Sequence, residues 1–197
     1  KNNVSFDKKL SEIYMLGAHD ALTHNITKTL DTSRQKSEDK VEGLLLTLIN
    51  LGLVNPDTTA KTQTVNAKAL LEKGVRYFDL RLSYDEKNSS WRASHTFFAG
   101  DFKDEVQGIK EFLDSTEGEI VILDLQWVYD SRANDDPNTT ANETGYGNAN
   151  SYQEIKQIMI DNGLWNYVYN TGNVYPNQLT YGQVTQRGTK SKVMIIT

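Results

Sequence analysis

The run Ile120-Val121-Ile122-Leu123-Asp124-Leu125 constrains this chain more than any other stretch. It is rich in β-branched residues and almost continuously apolar, which suits a strand buried on both faces. Four further apolar runs read as strands: Tyr14–Leu16, Val75–Leu82, Trp91–His95 and Val193–Thr197, with the first run extending over Ile120–Trp127. Helical patterns lie between them. Glu42–Leu51 carries Leu44, Leu45, Leu48 and Ile49 at helical spacing, and Ala67–Lys73 stops at Gly74. Asp104–Leu113 aligns Val106, Ile109, Lys110 and Leu113 on one stripe. Ser151–Asn162 reads as a capped helix, with Ser151 as N-cap, Glu154 as its capping-box partner and Gly163 as the stop. Strands alternating with helices define an α/β chain.

Two segments read as loops: Asn55–Thr64, with Pro56 and several threonines, and Ser131–Asn150, rich in Asn, Asp, Thr and Gly. The 197 residues suffice for one domain with a sizeable core. A net charge of −5 without a Lys/Arg block argues against a nucleic-acid surface, so no nucleic-acid partner is expected. There is no cysteine, which excludes disulfides and thiolate metal sites. With its Asn- and Thr-rich loops and a first residue that is not Met, the chain reads as a mature secreted protein.

The chemistry-bearing residues gather at strand ends. Met15-Leu16-Gly17-Ala18-His19-Asp20 runs an apolar strand into a His-Asp pair. Alone, the pair fits a loop cap as well as a site. Gly74-Val75-Arg76-Tyr77-Phe78-Asp79-Leu80-Arg81-Leu82 places Asp79 and Arg81 on one face of a strand. Burying both is costly unless they serve a polar site or pair with each other. Trp91-Arg92-Ala93-Ser94-His95 ends another strand on a histidine. Of three histidines, His19, His24 and His95, two thus sit at strand ends, and histidine both takes and gives protons near neutrality. Asp124 and Gln126 share a face of the central strand and could line the same cavity, or each could be satisfied by backbone.

These motifs, in this order, resemble the X region of phosphatidylinositol-specific phospholipases C. The likeness runs from Gly-x-His-Asp through Gly-Val-Arg-Tyr-Phe-Asp-Leu-Arg and the strand-ending His95 to Glu-Ile-Val-Ile-Leu-Asp-Leu and the tail Thr180–Thr197. The resemblance implies a TIM-barrel-like (β/α)8 fold of the phospholipase C-like phosphodiesterase type. Residues 1–197 would form its N-terminal part, with the first five or so strands. The terminal strand Val193–Thr197 has nothing after it to cover it, so we expect the rest of the barrel from elsewhere. The family pattern also implies roles. His19 is the general base toward an inositol 2-hydroxyl, and His95 the general acid toward the diacylglycerol oxygen. Asp20 supports His95, Arg81 contacts the phosphate, and Asp79 is a neighbouring carboxylate. Asp124 and Gln126 are candidate substrate contacts. The carboxylate partner of the base is expected in the missing half.

The resemblance implies a secreted bacterial enzyme of the metal-independent type, cleaving phosphatidylinositol or a related phosphodiester, with transient contact to a membrane surface. An arginine at position 81 puts fixed positive charge where the calcium-dependent relatives gather carboxylates, so no metal is expected. The alternative is a hard-cation site for Ca²⁺ at Asp20, Asp79 and Asp124. Two other functions compete. One is a binding module that keeps the phosphate pocket without turnover. The other is a metal-dependent glycerophosphodiester or sphingomyelin phosphodiesterase.

Overall fold

The structure is a computed structural model that describes residues 4–31, 33, 41–133 and 145–197. Elements follow in the order β1 (Leu16–Ala18), α1 (Val41–Asn50), α2 (Pro56–Thr59), α3 (Ala67–Glu72), β2 (Val75–Asp85), β3 (Ser90–His95), β4 (Phe97–Asp101), α4 (Phe102–Asp114), β5 (Ile120–Tyr129), α5 (Ala149–Asp161), α6 (Tyr181–Thr185) and β6 (Lys192–Ile196). The parallel strands run β1-β2-β5-β6, with Leu16 opposite Val75, Tyr77 opposite Ile122, and Ile122 opposite Met194. Four adjacent parallel strands are half of an eight-stranded barrel.

The fifth expected strand does not belong to that set. β3 runs antiparallel to β2, and β4 antiparallel to β3. The reason lies in the link: only Glu86–Ser89 separate β2 from β3, whereas a parallel return needs a dozen residues or more. The turn is held by Asp85, whose Oδ1 accepts from the backbone N–H of Lys87 (3.1 Å) and Asn88 (3.3 Å). β4 was not legible as a strand because Phe97, Phe98 and Ala99 are all buried and show no alternation.

Alternation along the parallel strands sorts two faces. Phe78, Leu80, Leu82, Val121, Leu123 and Val193 turn to one side and pack with Val106, Ile109 and Leu113 of α4 and Ile155 and Met159 of α5. The opposite, concave face is not sealed along its length. Ile122 and Asp124 are half-buried and Gln126 is exposed, so the β5 run is not buried on both faces. One end of this face is plugged, where Ile120, Ile122 and Met194 meet Leu10, Met15, Leu179 and Val184.

Helix ends follow capping chemistry. Asn66 accepts from Ala69 N (3.0 Å) and Asp101 from Lys103 N (2.9 Å). The N-cap of α5 is Asn148, not Ser151. Ser151 sits at the third helical position and its Oγ accepts from Asn148 N at 3.1 Å. Glu154, expected in the capping box, accepts from Trp91 Nε1 (2.9 Å) and Arg132 (2.7 Å) instead. The first strand begins at Leu16, and Tyr14 is fully exposed. The segment Asn55–Thr64 contains the short helix α2, capped by Asn55 with Pro56 at its first position. Residues 134–144 of the second loop lie outside the described residues. Among the described residues, no helix is long and apolar enough to cross a membrane.

Leu123 is fully buried under α4 and α5, while Ile196 is 39% exposed at the end of β6. Leu123→Ala should lower unfolding free energy by about 2–5 kcal/mol in urea titrations. Ile196→Ala should cost under about 1 kcal/mol.

Candidate active site

Two strands meet end to end along one edge of β2. β1 climbs that edge and ends at Ala18, opposite Phe78. β3 descends the same edge from Ser90, opposite Asp85, to Ala93, opposite Leu82, so its last residue, His95, returns to the level of Leu80. His19 and His95 therefore face each other across the gap between two strand ends. The antiparallel hairpin, not a parallel barrel strand, is what delivers His95.

Asp20 fills that gap. Its side chain is 2% exposed. Oδ2 lies 3.3 Å from His19 Nε2 and 3.5 Å from His95 Nε2, and Oδ1 lies 2.5 Å from Arg81 Nε. The last is a charge contact rather than an aligned hydrogen bond, since neither atom has a partner of hydrogen-bond geometry. The backbone bends sharply to put Asp20 there: its φ is +45° and that of Leu22 is +75°, both in the left-handed region that non-glycine residues avoid. Strain of this kind persists where surroundings over-determine it. Here Ala21 N donates to Asp79 O (2.8 Å), and Thr62 Oγ1 and Thr23 Oγ1 donate to Asp20 O (2.9 and 2.8 Å). Gln63 Nε2 donates to His19 O (2.9 Å).

The outer nitrogens fix both imidazoles. His19 Nδ1 lies 2.6 Å from Asp79 Oδ2. The carboxylate accepts, so Nδ1 carries the hydrogen and Nε2 is the basic nitrogen. His95 Nδ1 lies 2.8 Å from the carbonyl oxygen of Ala60, with the same consequence. Both Nε2 atoms thus stand within 3.5 Å of one oxygen of Asp20. Among the described residues, none accepts a hydrogen bond from the terminal nitrogens of Arg81, so its fork is free for an oxyanion.

Asp79 and Arg81 do not form the ion pair that was the alternative to a polar site: Asp79 meets His19 and Arg81 meets Asp20. Asp79 is thus a carboxylate partner of His19 within this chain. Of the two candidate substrate contacts, Asp124 accepts a short hydrogen bond from the Tyr77 hydroxyl. That bond, with burial adding to it, pushes the Tyr77 hydroxyl up to about 12. Gln126 lies against Asp79. Sequence reasoning missed Ala60, Thr62 and Gln63, which come from a segment read as a bare loop; nothing in their types distinguishes them.

His24 stands apart, 3.6 Å from Glu105 Oε1 at the start of α4. Burial chiefly lowers the His24 pKa and raises that of Glu105. A cavity of about 830 Å³, lined by Phe6, Glu117, Gly118, Tyr181 and Arg187, opens at the N-terminal end of β5, away from the histidines. The histidine cluster itself lies on the open concave face, with His19 70% exposed.

His19, Asp20 and Asp79 present ligand atoms within 4.8 Å of one another, a spacing that a metal ion could use. The donor set argues otherwise. Asp20 is already compensated by Arg81, and Asp79 by the His19 N–H. Arg81 also adds fixed positive charge beside the cluster, which opposes a divalent ion. Asp124, the third carboxylate of the calcium alternative, is absent from the cluster.

No family model matches the chain. Over 136 residues, 64% of the chain, it is 29% identical to the variant-surface-glycoprotein phospholipase C of Trypanosoma brucei brucei, of which the match covers 37%. Over 71 residues, 34% of the chain, it is 38% identical to PI-PLC X domain-containing protein 3 of Danio rerio, of which the match covers 22%. Among solved structures, a phosphatidylinositol-specific phospholipase C of Staphylococcus aureus matches 98% of the chain with a TM-score of 0.58 and 20% identity. The chain spans 49% of that enzyme, about half, and a smaller share of the curated relatives. The structural likeness defines a TIM-barrel-like fold of which this chain forms a part. By sequence the chain is similar to X-domain proteins of the phosphatidylinositol-specific phospholipase C type, and its fold is similar to that of a phosphatidylinositol-specific phospholipase C.

Asp20→Asn removes the counter-charge of Arg81 in a nearly dry site. It should destabilise the fold by about 3–5 kcal/mol, measured by urea denaturation, because an unpaired cation is left behind.

Proposed function

We propose that this chain carries the acid–base machinery of a phosphodiesterase that cleaves phosphatidylinositol or a related inositol phosphodiester. The products are diacylglycerol and an inositol cyclic phosphate. The observation that carries the reading is the convergence of two imidazole Nε2 atoms on one buried carboxylate, beside an arginine with a free fork.

The steps follow from the geometry. His19 Nε2, held as the acceptor by Asp79, removes the proton of the inositol 2-hydroxyl. The oxygen attacks phosphorus, and the guanidinium of Arg81 stabilises the charge on the non-bridging oxygens. The phosphorus–oxygen bond to diacylglycerol breaks, and His95, protonated on Nε2, gives that proton to the leaving oxygen. Asp20 keeps both imidazoles oriented. Acid–base catalysis of this kind contributes roughly 10²–10⁴-fold, so electrostatic stabilisation supplies much of the remainder.

The relatives support a lipid phosphodiester as the substrate class: one is named for a variant surface glycoprotein and others for phosphatidylinositol. A membrane surface outside the cell is then the place of reaction. The fixed charge of Arg81 beside the cluster makes the reaction independent of metal. The spacing of His19, Asp20 and Asp79 favours one second reading, a divalent-cation enzyme.

The test uses the longest native polypeptide containing this sequence. His95→Ala should lose at least about a hundredfold in rate on phosphatidylinositol and far less on a nitrophenyl ester of inositol phosphate, whose leaving group departs without a proton. His19→Ala should lose both activities. Equal losses for His95→Ala on both substrates contradict the assignment. Activity abolished by EDTA and restored by Ca²⁺ selects the second reading.

A further inference from the structure

The strand β5 carries an irregularity beside the cluster. Leu80 pairs with Leu125, but Arg81 pairs with Trp127, so Gln126 is the extra residue of a β-bulge. Bulges next to active sites re-aim a side chain. Here the bulge turns the Gln126 amide onto Asp79. Oriented with its nitrogen toward the carboxylate, the amide lies 2.6 Å from Oδ1 and 3.2 Å from Oδ2. The opposite orientation would set its oxygen against two acceptors, so the donor orientation is the one that hydrogen bonding allows.

We infer that Gln126 is a positioning residue for the base. It holds Asp79 by Oδ1 so that Oδ2 accepts from His19 Nδ1 and leaves His19 Nε2 free. This rests on the role proposed for His19, but it concerns the imidazole and not the substrate. The Gln126 amide reaches Asp79 Oδ1 most closely and Oδ2 at 3.2 Å, and the His19 ring meets Oδ2 at 2.6 Å. A carboxylate gripped by a second side chain presents Oδ2 to the ring in a fixed direction. Without Gln126, the carboxylate is free to rotate about its Cβ–Cγ bond, and among the described residues His19, 70% exposed, has no other partner on Nδ1 to hold its tautomer. The geometry makes Gln126 a support of the base and not a contact for the inositol ring.

The test reads the imidazole nitrogens directly. In ¹⁵N-edited spectra of the full polypeptide, neutral His19 should be the Nδ1–H tautomer. In Gln126→Leu and in Gln126→Asn, whose shorter amide falls out of reach, the Nε2–H form should rise to a comparable share. His95, held by the Ala60 carbonyl, should keep its tautomer in both and thereby certify the fold. In turnover on phosphatidylinositol vesicles, both variants should lower kcat about tenfold with KM within twofold of wild type. An unchanged His19 tautomer in both variants overturns the inference, and so does a raised KM with kcat retained, which would make Gln126 a substrate contact. The tautomer readout needs no turnover, so a protein that proves inactive refutes the proposed function without touching this inference.

Discussion

One buried carboxylate organises the site. Asp20 is almost free of solvent and touches Nε2 of both histidines and the guanidinium of Arg81. Taking a carboxylate out of water costs several kcal/mol, and only a close fixed cation offsets that cost. Arg81 supplies it, with its guanidinium nitrogen against Asp20 Oδ1. The strained backbone at Asp20 and Leu22, and the hydroxyls and amide of Thr23, Thr62 and Gln63 that hold it, exist to bring this one group into the gap between two strand ends.

The sheet tolerates such polarity because its two faces differ. The helix-covered face is apolar without interruption from Phe78 to Val193. The concave face carries Tyr77, Asp79, Arg81, Asp124 and Gln126 in partial contact with solvent, where their hydrogen bonds find partners among themselves or in water. Strand polarity completes the arrangement. A parallel β3 would have carried its C-terminal histidine away from β1, whereas the antiparallel hairpin brings His95 back toward His19 on the same edge of β2.

Much of this was legible in the sequence. His19, Asp20 and His95 stood out at the ends of apolar runs and Asp79 and Arg81 as a same-face pair within one, and the structure gathers all five. Their pairing was not legible, because it depends on strand register. Alternation put Asp79 and Arg81 on one face, yet it could not say that each would find its partner on a different loop or strand. The polarity of β3 was readable in principle from the four-residue link Glu86–Ser89, and the density of strand-end signals obscured it. Asp124 and Gln126 share a face by simple alternation. The bulge that aims Gln126 at Asp79, and the Tyr77 hydroxyl that occupies Asp124, have no signature in residue types. The insertion between β1 and α3 read as a helix and a polar loop. Its contribution, the Ala60 carbonyl on His95, is a backbone contact that no side-chain pattern reveals.

The claim at the centre of this account is that two histidines move one proton each, so that an internal hydroxyl rather than water displaces the lipid. Phosphorus NMR of phosphatidylinositol vesicles incubated with the longest native polypeptide tests it most directly. The account predicts that a five-membered cyclic inositol phosphate is the first product to accumulate, before any acyclic phosphate monoester. A monoester formed from the outset, with no cyclic phosphate at any time, would contradict it.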